Sequence, residues 1–150
     1  MRTATEIQQR TGLGRAAVLG AGTMGRAIAA HLANAGIPTL ILDLEDLAQK
    51  AREALKKIDP APLFLPDFDR LITPGSLESD LARAAEADWI IEAIIEDLPA
   101  KQALLARLLP HWRPGTIVST NTSGLPIGRI AAEVPQEFRR TFLGTHFFNP

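Results

Sequence analysis

The sequence predicts a doubly wound α/β domain, a mostly parallel sheet between two layers of helices, and three observations carry that expectation. Short apolar runs alternate with amphipathic segments along the chain, the pattern of βαβ units. The first run, AAVL at 16–19, ends in a glycine-rich turn that opens a helical pattern. The second, TLILD at 39–43, ends in an acid.

The elements follow in order. After the strand at 16–19, Met24, Ile28, Leu32 and Ala35 fall on one helical face, and Gly36 is a stop signal. Beyond the strand at 39–43, Glu45 to Ile58 is again helical, with Leu47, Ala51, Ala54, Leu55 and Ile58 on one side. The stretch DPAPLFLPDFD, 59–69, has three prolines in eleven positions and is expected to be irregular. A short strand near RLIT (70–73), a helix near 77–86 and a buried strand WIIEAII (89–95) come next. A helix opens at Pro99, whose missing N–H would have had no intrahelical partner, and runs to about Leu109 with Leu104, Leu105 and Leu108 inward. Strands TIVST (116–120) and TFLGTH (141–146) complete a sheet of about six.

The totals bound the function. One hundred and fifty residues suit one domain, and 46% hydrophobic with 22% charged residues at a net charge of −1 describe neither a disordered tail nor a nucleic-acid binder. With no cysteine there is no disulfide framework and no thiolate ligand or nucleophile. His31, His111 and His146 show no ligand spacing, so no metal site is expected. No run approaches the ~20 apolar residues of a membrane span. Residues 1–14 read as a leader without a signal-peptide core, and Glu6 argues against a transit peptide. A cytoplasmic location is the expectation, with no nucleic-acid or membrane partner.

VLGAGTMG holds Gly20, Gly22 and Gly25 in a G-x-G-x-x-G, and Asp43 ends the next strand 23 positions after Gly20. In a Rossmann-type domain each part has a physical task. Gly20 permits the tight turn, Gly22 lets the backbone approach a pyrophosphate, and Gly25 lets helix and sheet pack closely. Ala21, Thr23 and Met24 complete the turn into the helix, whose N-terminal N–H groups suit phosphate. Asp43 would accept from both adenosine ribose hydroxyls and repel a 2′-phosphate, so the expected cofactor is NAD rather than NADP. The bland alternative is a strand–turn–helix connection whose glycines serve packing alone.

Three further motifs carry the chemistry: EAIIEDLPAK at 92–101, STNTSGL at 119–125 and HFFNP at 146–150. With GAGTMG and the strand ending at Asp43, in this order, the chain from about Arg15 to Pro150 resembles the NAD-binding domain of the L-3-hydroxyacyl-CoA dehydrogenase family. The resemblance implies NAD-dependent oxidation of a 3-hydroxyacyl-CoA to the 3-ketoacyl-CoA, as in fatty-acid β-oxidation. It places Glu96 and Lys101 at the cofactor's ribose and phosphate region, Asn121 near the nicotinamide ribose, and Ser123 at the nicotinamide and substrate hydroxyl. His146 falls on the family's catalytic base and Asn149 on the asparagine that holds the substrate. Histidine suits the task, because its unperturbed pKa of ~6.5 lets it take a proton near neutral pH. Glu92, inside an apolar strand, is expected to make a structural hydrogen bond, and Phe147 and Phe148 are expected in the core. The stretch between Asp43 and Trp89 fits the family less well, and DPAPLFLP is its own.

The resemblance also implies a glutamate partner for the histidine and a helical C-terminal substrate and dimerisation domain, both beyond HFFNP and absent from these residues. The parent is then a homodimer or part of a multifunctional complex, and this chain alone should bind NAD and turn over substrate poorly. Two alternatives stay open: a related NAD-dependent dehydrogenase of a small 3-hydroxy acid or sugar acid, and an NAD(H)-binding module without catalysis.

Overall fold

The computed structural model describes Gln9 and residues 12–148; most of the expected leader lies outside them, as does Asn149. β1 (Ala16–Leu19) leads to α1 (Thr23–Asn34), β2 (Thr39–Asp43) to α2 (Leu47–Leu55), and a 3-10 turn (Pro66–Leu71) to β3 (Ile72–Ser76). A second 3-10 turn (Leu81–Glu86) precedes β4 (Trp89–Glu92), and α3 (Leu98–Leu108) connects it to β5 (Ile117–Thr120). Two single helical turns, α4 (Ile127–Ile130) and α5 (Gln136–Arg139), lead to β6 (Phe142–Gly144). The six strands are all parallel in the order β3-β2-β1-β4-β5-β6. Because the order reverses between β1 and β4, a crevice opens above their carboxyl ends, where open α/β sheets bind ligands.

β1 is apolar at every position because both its faces are covered. Ala16 and Val18 enter the core under α1 and α2, whereas Ala17 and Leu19 enter the one under α3. In α1, Ile28 and Leu32 are buried as expected, but Ala35 is the exposed residue that ends the helix. α2 begins two residues later than its apolar pattern, since Glu45 stands at φ 48. Its buried face is Ala48, Ala51 and Leu55, leaving Leu47 in solvent.

The expected strand at 70–73 is displaced to 72–76, because Arg70 and Leu71 close the turn that starts at Pro66. β3 carries Pro74 opposite Ile41, tolerable on an edge strand, where one side of the ladder is unpaired. Only 81–86 of the expected helix 77–86 forms, as 3-10 structure. The irregular stretch is tethered by Asn34, which donates to Pro62 O at 2.8 Å and accepts from Phe64 N at 2.9 Å.

β4 stops at Glu92 rather than at Ile95. There the Glu92 side chain accepts from Ile94 N at 2.8 Å, which takes that N–H out of the strand ladder. α3 is capped by Asp97, whose Oδ1 accepts from Ala100 N at 2.8 Å, and buries Leu104, Leu105 and Leu108. β5 starts one residue later than expected and ends where expected, at Thr120, whereas β6 is shorter at both ends. Among the described residues no helix is long and apolar enough to cross a membrane.

Candidate functional site

A cavity of about 900 Å³ lies above the carboxyl ends of the strands, lined by Gly20, Gly22, Thr23, Met24, Asp43, Glu96, Asn121, Ser123 and His146 from five different connections. Parallel strands bring these distant residues together because each ends on the same edge of the sheet.

The three glycines are required for different reasons. Gly20 has φ +108, and a Cβ there would lie 2.5 Å from Ala93 O. A Cβ on Gly25 would lie 1.9 Å from Gly20 O, so strand and helix could not approach. A Cβ on Gly22 would meet nothing in the chain within 4 Å, so packing alone does not demand glycine there. The bare backbone at Gly22 faces the cavity, and no side chain caps α1, whose first N–H groups are open to an anion. These are features that a bound dinucleotide pyrophosphate would use.

Asp43 closes β2 beside this turn. Its Oδ2 accepts from Ala21 N at 2.5 Å and its Oδ1 from Leu44 N at 2.7 Å. A carboxylate offers about four lone-pair sites, so two bonds leave capacity for ribose hydroxyls. Beyond Asp43 the cavity is apolar, walled by Leu44, Leu77, Ala100, Ala103 and Leu104 and edged by Arg107. The last four share one face of α3 at i, i+3, i+4 and i+7, a spacing visible in the sequence that places Leu104 at the cavity as well as in the core.

At the other end, Ser123 Oγ stands 3.0 Å from His146 Nε2. His146 is exposed, but both its neighbours are pinned: Thr145 N donates to Thr120 O at 3.0 Å, and Phe147 N donates to Asn121 Oδ1 at 2.8 Å. Asn121 thus holds the segment carrying the histidine. Phe147 is partly buried beside Trp89 and His31, whereas Phe148, expected in the core, is 83% exposed and edge-on to His146. Among the described residues no carboxylate pairs with His146. Asn149 lies outside them.

Glu96 accepts at Oε1 from the Thr122 hydroxyl, from Ser123 N at 2.9 Å and from Gly124 N at 2.9 Å. Partial burial opposes ionisation, but those three donors, with the charge of Lys101, outweigh it and lower the carboxyl to about 2. Lys101 does not reach the cavity wall: it is 1% exposed, beneath the floor. Its Nζ donates to Glu92 Oε1 at 2.7 Å and lies 3.4 Å from Ile94 O and 3.5 Å from Glu96 Oε2. Glu92 is fully buried and also accepts from the Thr120 hydroxyl at Oε2. The expected structural hydrogen bond of Glu92 is therefore a buried network. The sequence does not disclose Thr120 as a member of that network or Thr122 as a donor to Glu96, although a hydroxyl in a TSG turn is common turn chemistry.

Comparisons with known proteins show the family and the fold of the chain. Residues 15–150 match the family model described as 3-hydroxyacyl-CoA dehydrogenase, NAD binding domain. A probable 3-hydroxyacyl-CoA dehydrogenase of Bacillus subtilis is 44% identical over 91% of this chain and 20% of its own length. One of Deinococcus radiodurans is also 44% identical, over 91% of this chain and 42% of its own. The crystal structure of 3-hydroxybutyryl-CoA dehydrogenase from Escherichia coli K12 superposes with a TM-score of 0.78 at 32% identity, covering 91% of this chain and 30% of that one. The chain spans less than half the length of these relatives. It belongs to the 3-hydroxyacyl-CoA dehydrogenase family, as its NAD-binding domain.

Proposed function

We propose that this chain supplies the cofactor site and the catalytic base of an NAD-dependent dehydrogenase that oxidises the 3-hydroxyl of L-3-hydroxyacyl-CoA to the 3-ketone. The observation that carries the reading is the Ser123 Oγ to His146 Nε2 contact of 3.0 Å, set on the same cavity as the bare Gly22 backbone and Asp43.

The chain's residues divide the work. Gly22 and the first turn of α1 would hold the pyrophosphate, and Asp43 the adenosine ribose. Bound NAD supplies the hydride acceptor. Ser123 would hydrogen-bond the substrate hydroxyl, and His146 would take its proton at Nε2, so the same nitrogen faces both serine and substrate. Asn149 would hold the substrate and orient its reacting group. The acidic partner that orients the imidazole and the domain that covers the acyl-CoA belong, in this reading, to the rest of a larger parent, either a homodimer or a multifunctional fatty-acid oxidation enzyme. A cytoplasmic location goes with that role.

Three measurements test the reading. NADH titrated into this chain should bind, and Asp43→Ala should weaken it by roughly 10- to 100-fold, the worth of a charged hydrogen-bond acceptor; no binding by the unmutated chain refutes the cofactor site. The complete parent should oxidise 3-hydroxybutyryl-CoA in preference to free 3-hydroxybutyrate and lose at least ~100-fold in kcat on His146→Ala. Preference for the free acid would favour a small 3-hydroxy acid dehydrogenase. This chain alone should turn over very slowly, and a rate matching that of a full-length relative would refute the need for an acidic partner from the rest of the parent.

A further inference from the structure

We propose that Glu96 is a positioning residue, which clamps the 122–124 turn and so holds Ser123 Oγ against His146 Nε2. The inference rests on the reading of His146 as the base and goes beyond the cofactor contact expected of Glu96.

The geometry leaves Glu96 Oε1 little else to do. It receives three donors from consecutive residues, the hydroxyl of Thr122 and the N–H groups of Ser123 and Gly124. Three donors from one short turn fix its position and its orientation. Ser123 is the middle residue, so the backbone that carries Oγ is held from both sides. The other carboxylate oxygen is 3.5 Å from Lys101 Nζ, which is buried and cannot swing away because Glu92 binds it at 2.7 Å. Glu92 itself is tied to β5 through the Thr120 hydroxyl. The clamp is therefore anchored in the core, although its upper end is exposed. A carboxylate held low in pKa stays ionised throughout the working range and keeps accepting.

This arrangement makes reach more important than charge. Glu96→Asp keeps the charge but withdraws the oxygens by one methylene, so the turn should come loose. Glu96→Gln keeps Oε1 at full reach as an acceptor for the same three donors, at the loss of the carboxylate's charge and of its attraction to Lys101.

The test reads the ¹⁵N shift of His146 Nε2 by NMR in the whole chain at one pH, with the amide spectrum as the check on folding. Ser123→Ala defines the signal of a histidine without its serine. Glu96→Asp and Glu96→Ala should move at least half of the way to that value, while Glu96→Gln should stay closer to the unmutated chain. If Glu96→Asp leaves the signal in place, if Gln moves it more than Asp, or if Ser123→Ala does not move it, the proposal is overturned. NADH affinity is measured on the same samples. A loss of affinity with the His146 signal unchanged would make Glu96 a cofactor contact alone and also overturn the proposal. Failure of the unmutated chain to bind NADH would instead count against the dehydrogenase reading, and the His146 signal would still decide the clamp.

Discussion

Lys101 is the residue at which stability and site construction meet, and replacing it by methionine gives a measurable consequence. The ammonium and the Glu92 carboxylate are 1% and 0% exposed and 2.7 Å apart. Removing one member of a buried pair strands the other charge, at about 3–5 kcal/mol. Glu92 would still accept from Ile94 N and the Thr120 hydroxyl, which places the expected cost near the lower end, about 3 kcal/mol. For a chain of 150 residues, an unfolding entropy of about 2.1 cal/mol/K per residue converts this to a fall in Tm of roughly 10 °C. Urea unfolding and calorimetry of Lys101→Met give the two numbers independently. The decisive comparison is the double variant Glu92→Gln/Lys101→Met. With the stranded charge neutralised and the Ile94 N–H still met by the amide oxygen, it should recover about half of the loss. A single variant within about 1 kcal/mol of the unmutated chain, or a double variant no more stable than the single, would refute the account of a stranded carboxylate.

Two further outcomes follow from the site. Gly22→Ala should leave the melting temperature unchanged, because its methyl meets nothing in the chain, yet weaken NADH by at least about tenfold, whereas Gly25→Ala should destabilise the fold itself through the clash with Gly20 O; equal behaviour of the two in melting and titration would contradict the distinction. The lowered carboxyl of Glu96 gives a pH dependence with a definite sign: its stabilisation is present above the ordinary carboxylate pKa and is lost as pH falls from about 4.5 towards 2. Urea unfolding between pH 6 and 2.5 should therefore show a shallower acid decline in Glu96→Gln than in the unmutated chain. The difference should be modest, since the side chain is 43% exposed and screened by solvent.

What could be read in advance, and what could not, divides along physical lines. Elements placed by burial were legible, because burial on two faces writes itself as an apolar run and burial on one helix face as a stripe: β1, β2 and α3 lie within a residue or two of expectation. Elements shaped by one local interaction were not. β3 moved along the chain because the turn at Pro66 consumed two residues of its apolar run, and β4 ended early because the Glu92 side chain captured Ile94 N. The turns α4 and α5 are four residues each, too short for any period to show. The site divides in the same way. Glycines and the strand-end acid advertise themselves because backbone approach and ribose binding each demand one residue type at one spacing. Lys101 does not, since a lysine on an amphipathic helix looks the same whether it faces solvent or a buried carboxylate. What distinguishes it is Glu92 nine positions earlier, in a strand that should have held no charge. An acid interrupting an apolar strand needs a buried cation or several donors. Lys101 lies on the helix that follows directly, where its stem can turn down onto the end of β4. Paired with that question, the EAIIEDLPAK motif predicts the ion pair beneath the cavity floor, and the second glutamate is then the one left free to reach the turn that carries Ser123.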